Sequence, residues 1–162
     1  MNPRKEELRD SYKRRRAAMS REDVESRSQA IGQRLLGEIS FSGVKKISTY
    51  KPMNKLNEVN TLLFSSKIQN LHPGINISFV STDKNQDIPK QNFELIIVPV
   101  LAFDKDRHRL GWGGGFYDRF LAEQPHALKI GLCFQTGFVA GGLPHETHDI
   151  SLDKIITETK TY

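Results

Sequence analysis

The sequence predicts an α/β fold: a three-layer, Rossmann-like single domain with a mostly parallel central sheet covered by helices. Three observations predict it. Five short segments rich in Val, Ile and Phe, bounded by Gly, Pro, Asn or Asp, carry strand signals. Helix-length stretches lie between them, and the middle strands are almost continuously apolar, as strands buried on both faces are. The 162 residues suit one domain, which at this size buries about 69% of the unfolded chain's surface.

The elements follow in order. Residues 4–19 read as a helix, because Leu8, Tyr12 and Met19 fall within about 40° of one another at helical spacing. Lys5, Arg9, Lys13 and Arg16 adjoin that apolar stripe, the layout of a helix that docks and points cations into a groove. A solvated basic face with its aliphatic stems lying on the stripe fits the same pattern. Ser20 followed by Asp23 resembles a capping box and starts a second helix, which runs to about Ile39 with Val24, Ile31, Leu35 and Ile39 inward. Strands are expected at 45–50, 75–80, 93–98, 129–134 and 154–157, and further helices at 59–70 and 116–124. No repeat, low-complexity tract or linker divides the chain.

Composition narrows the function. The net charge is +5, but residues 1–21 hold eight Lys/Arg against three Asp/Glu, and residues 22–162 hold sixteen of each. The excess therefore belongs to the first helix alone. Such a helix serves RNA, a membrane surface or the phosphates of a small ligand, and the body must decide among them. The longest apolar run, 95–103, is far short of the roughly 20 residues of a membrane span. A charged N-terminus without an apolar core and a single cysteine, Cys133, agree with a cytoplasmic protein.

Ligands of such sheets bind beyond the carboxyl ends of the strands. The loop there reads Arg109-Leu110-Gly111-Trp112-Gly113-Gly114-Gly115-Phe116-Tyr117-Asp118-Arg119. Clustered glycines admit positive φ and let backbone N–H groups converge on an anion; they also serve as tight turns for close packing. The spacing matches neither a Walker A loop nor the dinucleotide G-x-G-x-x-G. Arg109 and Arg119 add cations for phosphate oxygens, and Asp118 is a carboxylate for magnesium or an ordinary acid in a first helical turn. Near the C-terminus, His145, Glu146, His148 and Asp149 lack a cysteine and helical zinc-ligand spacing, so an oxygen-ligated magnesium at Asp149 is favoured over zinc. Glu58, ahead of the helix expected at 59–70, reads as a helix-start acid or as an acceptor for ring N–H donors.

In combination these residues resemble the 5-formyltetrahydrofolate cyclo-ligase family over most of the chain. The family's K-x-x-L-R corresponds to Lys5-Glu6-Glu7-Leu8-Arg9, followed by Arg14, Arg15 and Arg16. Its E-V-x-T matches Glu58-Val59-Asn60-Thr61, and its R-L-G-x-G-x-G-[FY]-Y-D is intact from Arg109 to Asp118, with Gly114 where other members carry lysine. Its closing H-D-x-x-L-D-x-I-I-T-E runs from His148 to Glu158. The chain departs from the pattern between Thr61 and Arg109, where it is shorter and lacks F-G-I-x-E-P, and around Cys133 to Gln135, which is compressed.

The resemblance implies ATP-dependent closure of 5-formyltetrahydrofolate to 5,10-methenyltetrahydrofolate with release of ADP and phosphate. It implies that Lys5 to Arg9 and Arg109 to Tyr117 hold ATP and that Asp118 and Asp149 hold Mg2+. Arg9, Glu58 and Trp112, Gly113, Gly114, Gly115 and Phe116 meet folate, and Arg9, Asp118 and Arg119 are the expected catalytic residues. Trp112 either stacks on an aromatic ring of the substrate or anchors packing. A monomer without nucleic-acid or membrane partners is expected. A folate- or nucleotide-binding module without catalysis is the alternative.

Overall fold

The computed structural model describes residues 3–81 and 87–162; Met1, Asn2 and residues 82–86, part of the shortened stretch between Thr61 and Arg109, lie outside the described residues. Helix α1 spans Pro3–Ala17 and α2 Arg21–Glu38, followed by β1 (Lys46–Tyr50), α3 (Leu62–Leu71) and β2 (Asn76–Val80). Then come β3 (Leu95–Pro99), a hairpin of β4 (Ala102–Phe103) and β5 (Arg109–Leu110), α4 (Phe116–Ala122), β6 (Leu128–Leu132) and β7 (Lys154–Ile156). All five expected strands form, with ends within two residues of expectation; the small hairpin was not expected.

The main sheet is entirely parallel, in the order β2-β1-β3-β6-β7. β3 is buried along its whole length, which is why 95–99 is apolar at every position. Its residues alternate between two cores. Leu95 and Ile97 pack with Ile31, Leu35, Phe64 and Ile68 of α2 and α3, whereas Ile96 and Val98 pack with Phe116, Phe120 and Leu121 of α4. These are the three expected layers. The chain leaves β1 toward β2 on one side and returns to β3 on the other, so a crevice opens beyond the carboxyl ends of these strands.

Local chemistry explains the ends of the helices. Ser20 caps α2 by accepting from the Asp23 N–H at 3.0 Å, and its hydroxyl donates to the Asp23 carboxylate. α3 starts later than expected, at Leu62, because the Thr61 hydroxyl donates to Tyr50 O at 2.6 Å and ties this segment to the end of β1. Glu58 and Val59 therefore lie in a loop, so Glu58 is not a helix-start acid.

α1 lies across the carboxyl ends of the strands. Tyr12 is buried with Leu101, Leu110 and Leu143, and Leu8 packs against them. Asn57 caps the end of α1, its side chain donating to Arg16 O and Met19 O. Among the described residues no helix is long and apolar enough to cross a membrane.

Candidate active site

A cavity of about 750 Å³ occupies the crevice. Tyr50 at the end of β1 and Lys51 after it, Val80 at the end of β2 and Pro99 at the end of β3 form its base. Its sides are the first half of α1, the glycine loop 111–115 and the segment 146–149.

The β4 and β5 hairpin aims the glycine loop at this space, with Phe103 opposite Arg109. Asp104 organises the hairpin turn: it accepts from the Asp106 and His108 N–H groups at 3.0 Å, the Leu143 N–H at 2.9 Å and the His108 ring at 3.1 Å. Burial opposes its ionisation, but these donors hold its carboxyl below the ordinary range. One buried carboxylate thus fixes both the entry to the glycine loop and the segment leading to Asp149. Within the loop, Gly113 (φ 106°) and Gly115 (φ 65°) adopt conformations that side chains resist. A Cβ on Gly113 would touch the Arg9 side chain, whereas one on Gly114 would meet open space.

Opposed charges pair across the cavity. Arg109 donates to Asp118 at 2.7 Å, and Lys5 donates to Asp149. Arg9 pairs with Glu6, and its Nε donates to Gly111 O at 3.1 Å, joining α1 directly to the glycine loop. Burial pulls the Arg109 guanidinium down from its ordinary value, while Asp118 and Asp149 both pull it back. Burial likewise opposes ionisation of Asp149, yet Lys5, the Glu146 N–H and His148 hold its carboxyl below the ordinary range.

The deeper wall is drier. Glu58 is only 3% exposed and accepts from the Met53 N–H at 2.8 Å. Burial pushes its carboxyl up, against the Met53 N–H, Arg16 and the nearby Trp112 indole. The Tyr117 hydroxyl is buried without a hydrogen-bond partner, and burial together with Glu58 pushes it well above the usual phenol value. The Trp112 N–H also lacks a full hydrogen bond. Its ring packs against the cluster of Tyr12, Leu101 and Leu110, lies 6.0 Å from the Arg16 guanidinium and lines the cavity wall.

The cavity thus brings together Lys5, Glu6, Arg9, Glu58, Arg109 to Asp118 and Asp149. Three expected residues are elsewhere. Glu7 is exposed, Leu8 packs in the core below α1, and Arg119 is exposed with its guanidinium against Gly115. Of the four cations beside the apolar stripe, Lys5 and Arg9 line the cavity and Lys13 does not, while Arg16 turns to the interior, where its reach to the Val100 and Leu101 carbonyls outweighs helical phase. His145 stacks on His108 at 3.9 Å and does not join His148 and Asp149. Tyr50, Phe79, Val80 and Pro99 line the cavity unannounced by any motif; their place at strand carboxyl ends was the available signal.

Known proteins resemble this chain in sequence and in fold. A sequence model of the 5-formyltetrahydrofolate cyclo-ligase family matches residues 74–158. The 5-formyltetrahydrofolate cyclo-ligase of Mycoplasma pneumoniae is 30% identical over 169 residues, spanning 95% of this chain and 98% of that protein, so the two share the short form. The solved structure of a 5,10-methenyltetrahydrofolate synthetase from Mycoplasma pneumoniae superposes with a TM-score of 0.80 at 27% identity, covering 95% and 98% of the two chains. The Aquifex aeolicus 5,10-methenyltetrahydrofolate synthetase has the same fold, with a TM-score of 0.80 at 23% identity over 97% and 91%. By sequence over nearly its full length, the chain belongs to the 5-formyltetrahydrofolate cyclo-ligase family.

Proposed function

We propose that the protein closes 5-formyltetrahydrofolate to 5,10-methenyltetrahydrofolate at the expense of ATP, with both substrates in the cavity under α1. The observation that carries this reading is the meeting of Lys5 and Arg9, Glu58, the Arg109 to Asp118 loop and Asp149 around one space, although 144 residues separate Lys5 from Asp149.

The residues present fit the nucleotide and its metal. Lys5 and Arg109 are cations at the wall, and Gly114 leaves the loop backbone open to an approaching phosphate. Asp118 and Asp149 are oxygen donors of the kind magnesium takes, and both act on Arg109, so they face one locality. Bound there, ATP supplies the phosphoryl group that turns the formyl oxygen into a leaving group.

This chain's work is then positioning and charge neutralisation. Arg9, held by Gly111, keeps α1 against the glycine loop, so that cations face the phosphates from two sides. Glu58, anchored by Met53, accepts from the ring N–H groups of the folate and orients it. The apolar floor of Val80, Pro99 and Phe116 limits water at the reacting carbon, which protects an activated substrate from hydrolysis.

Purified protein incubated with 5-formyltetrahydrofolate and MgATP tests the reading. The methenyl chromophore and ADP are expected to rise one to one; appearance of neither product overturns it in favour of a binding module.

A further inference from the structure

Charge and apolar area are unevenly spread round the cavity wall. Among the described residues four Lys/Arg side chains line it, and three of them, Lys5, Arg9 and Arg109, stand on α1 or next to the glycine loop. The fourth, Lys51, is exposed and follows β1, which neighbours the edge strand β2. Two apolar side chains share that end of the wall. Met53 is 36% and Phe79 39% exposed, and they are two of the four large hydrophobic residues exposed among those described. Phe79 lies opposite Thr49 in the register of β1 and β2, and Lys51 and Met53 soon follow Thr49 along the chain. We propose that Lys51, Met53 and Phe79 form an outer subsite for the aminobenzoyl-glutamate tail of the folate: the two apolar side chains cover its aromatic ring, and Lys51 meets its carboxylates. The inference rests on the proposed function and deepens it by naming what holds the far end of the substrate.

Met53 joins this end to the deeper wall. Its backbone N–H donates to Glu58 at 2.8 Å, the acid that receives the ring N–H groups of the folate, while its side chain lines the outer part. A folate ring seated on Glu58 therefore lies beside Met53, and its tail has two directions to take. Toward α1 and the glycine loop it meets Glu6, Asp118, Glu146 and Asp149, four of the five carboxylates on the wall, which repel a glutamate. Toward β2 it meets exposed apolar side chains and a cation. An aromatic ring laid on Phe79 and Met53 takes apolar surface out of water on both partners, and the thioether adds a contact that aromatic rings favour. Lys51 is a compact charge on a flexible stem, suited to following two carboxylates that end in solvent. Such an exposed pair changes affinity a few fold and carries no part of the chemistry.

The test compares 5-formyltetrahydrofolate with the dimethyl ester of its glutamate, by calorimetric binding to the full chain and by initial rates with MgATP. The wild type is expected to bind the free acid about fivefold more tightly than the ester. Lys51→Met should abolish that preference by weakening the acid alone, and should raise its KM about fivefold while kcat is kept, as for binding shared by ground and transition states. Lys51→Glu, the second variant should Lys51→Met not melt cooperatively, should reverse the preference. Phe79→Thr, which keeps a strand-forming residue in β2, should weaken acid and ester alike by about tenfold. Leu71→Ser alters a residue that is 67% exposed and off the cavity, and should bind both compounds as the wild type does. A Lys51→Met protein that still prefers the acid, or a Phe79→Thr protein with wild-type affinities, overturns the subsite even if methenyl product and ADP form one to one. The expected binding pattern without any methenyl product supports the subsite and overturns the proposed reaction. Binding of neither compound by the wild type overturns the subsite.

Discussion

The guanidinium of Arg16 donates to Val100 O at 2.8 Å, reaching from the end of α1 to the turn that follows β3. A second bond from the same Nη2 goes to Leu101 O at 3.2 Å, and the guanidinium lies 5.3 Å from the centre of the Phe134 ring. The last turn of α1 is thereby bolted to the centre of the sheet. Its first turns carry Lys5 and Arg9 to the cavity wall.

Arg16→Met removes these bonds, leaving Val100 O without its Arg16 donor and Leu101 O with only the weak Cys133 thiol. A loss of about 2–4 kcal/mol is expected, or roughly 5–12 °C in Tm for a chain of this size. KM for ATP should rise as α1 loosens. Thermal melts and initial rates check both, and a wild-type Tm in the variant would refute the anchoring role.

Glu58 links stability to pH. Its folded-state pKa lies above the unfolded value, so its protonated form favours folding, and this contribution is lost as pH rises from the ordinary carboxylate range through the raised value. Glu58→Gln, which keeps an acceptor for Met53, should flatten that slope and be more stable than the wild type at pH 7. Its KM for 5-formyltetrahydrofolate should nevertheless rise by about tenfold or more, as the charge-assisted bonds to the ring N–H groups are lost. Urea midpoints from pH 4.5 to 8 and substrate titrations measure the two effects.

Adjacent glycines of the loop should answer substitution in opposite ways. Gly113→Ala places a Cβ at φ 106°, in contact with Arg9, and is expected to cost about 1–3 kcal/mol and to disturb the junction between α1 and the loop. Gly114→Lys meets open space and should leave stability within about 0.5 kcal/mol while adding a cation beside the expected phosphates. Melting curves and MgATP affinity of the two variants separate these outcomes.

Gly137 is a packing requirement away from the cavity. An added Cβ would lie 2.5 Å from Cys133 Sγ and 2.9 Å from the backbone oxygen of Leu101, which has little room to yield. Gly137→Ala should lose about 3 kcal/mol, read as a lowered denaturation midpoint.

The layers of the fold were readable because a strand buried on both faces must be apolar at every position. Residues 95–99 say so directly, and 47, 130 and 156 fall in line with them. The α3 boundary falls three residues beyond expectation because the Thr61 hydroxyl donates to Tyr50 O and ties the preceding residues to the end of β1, a contact with no local signal. Lys5 and Arg9 were placed on the docking side of α1 by helical phase alone. Arg16 shares that phase, but phase carries no information about which cation finds carbonyls within reach.

The sequence by itself determined the order of strands and helices, the family motifs and the confinement of excess charge to the first helix, since these depend on spacing and composition along the chain. Only the tertiary structure decided that Asp104 fastens Leu143, that Lys5 meets Asp149 and that the Tyr117 hydroxyl ends without a partner. Those facts depend on which distant groups the sheet brings within a few ångströms, and no local pattern encodes such a distance.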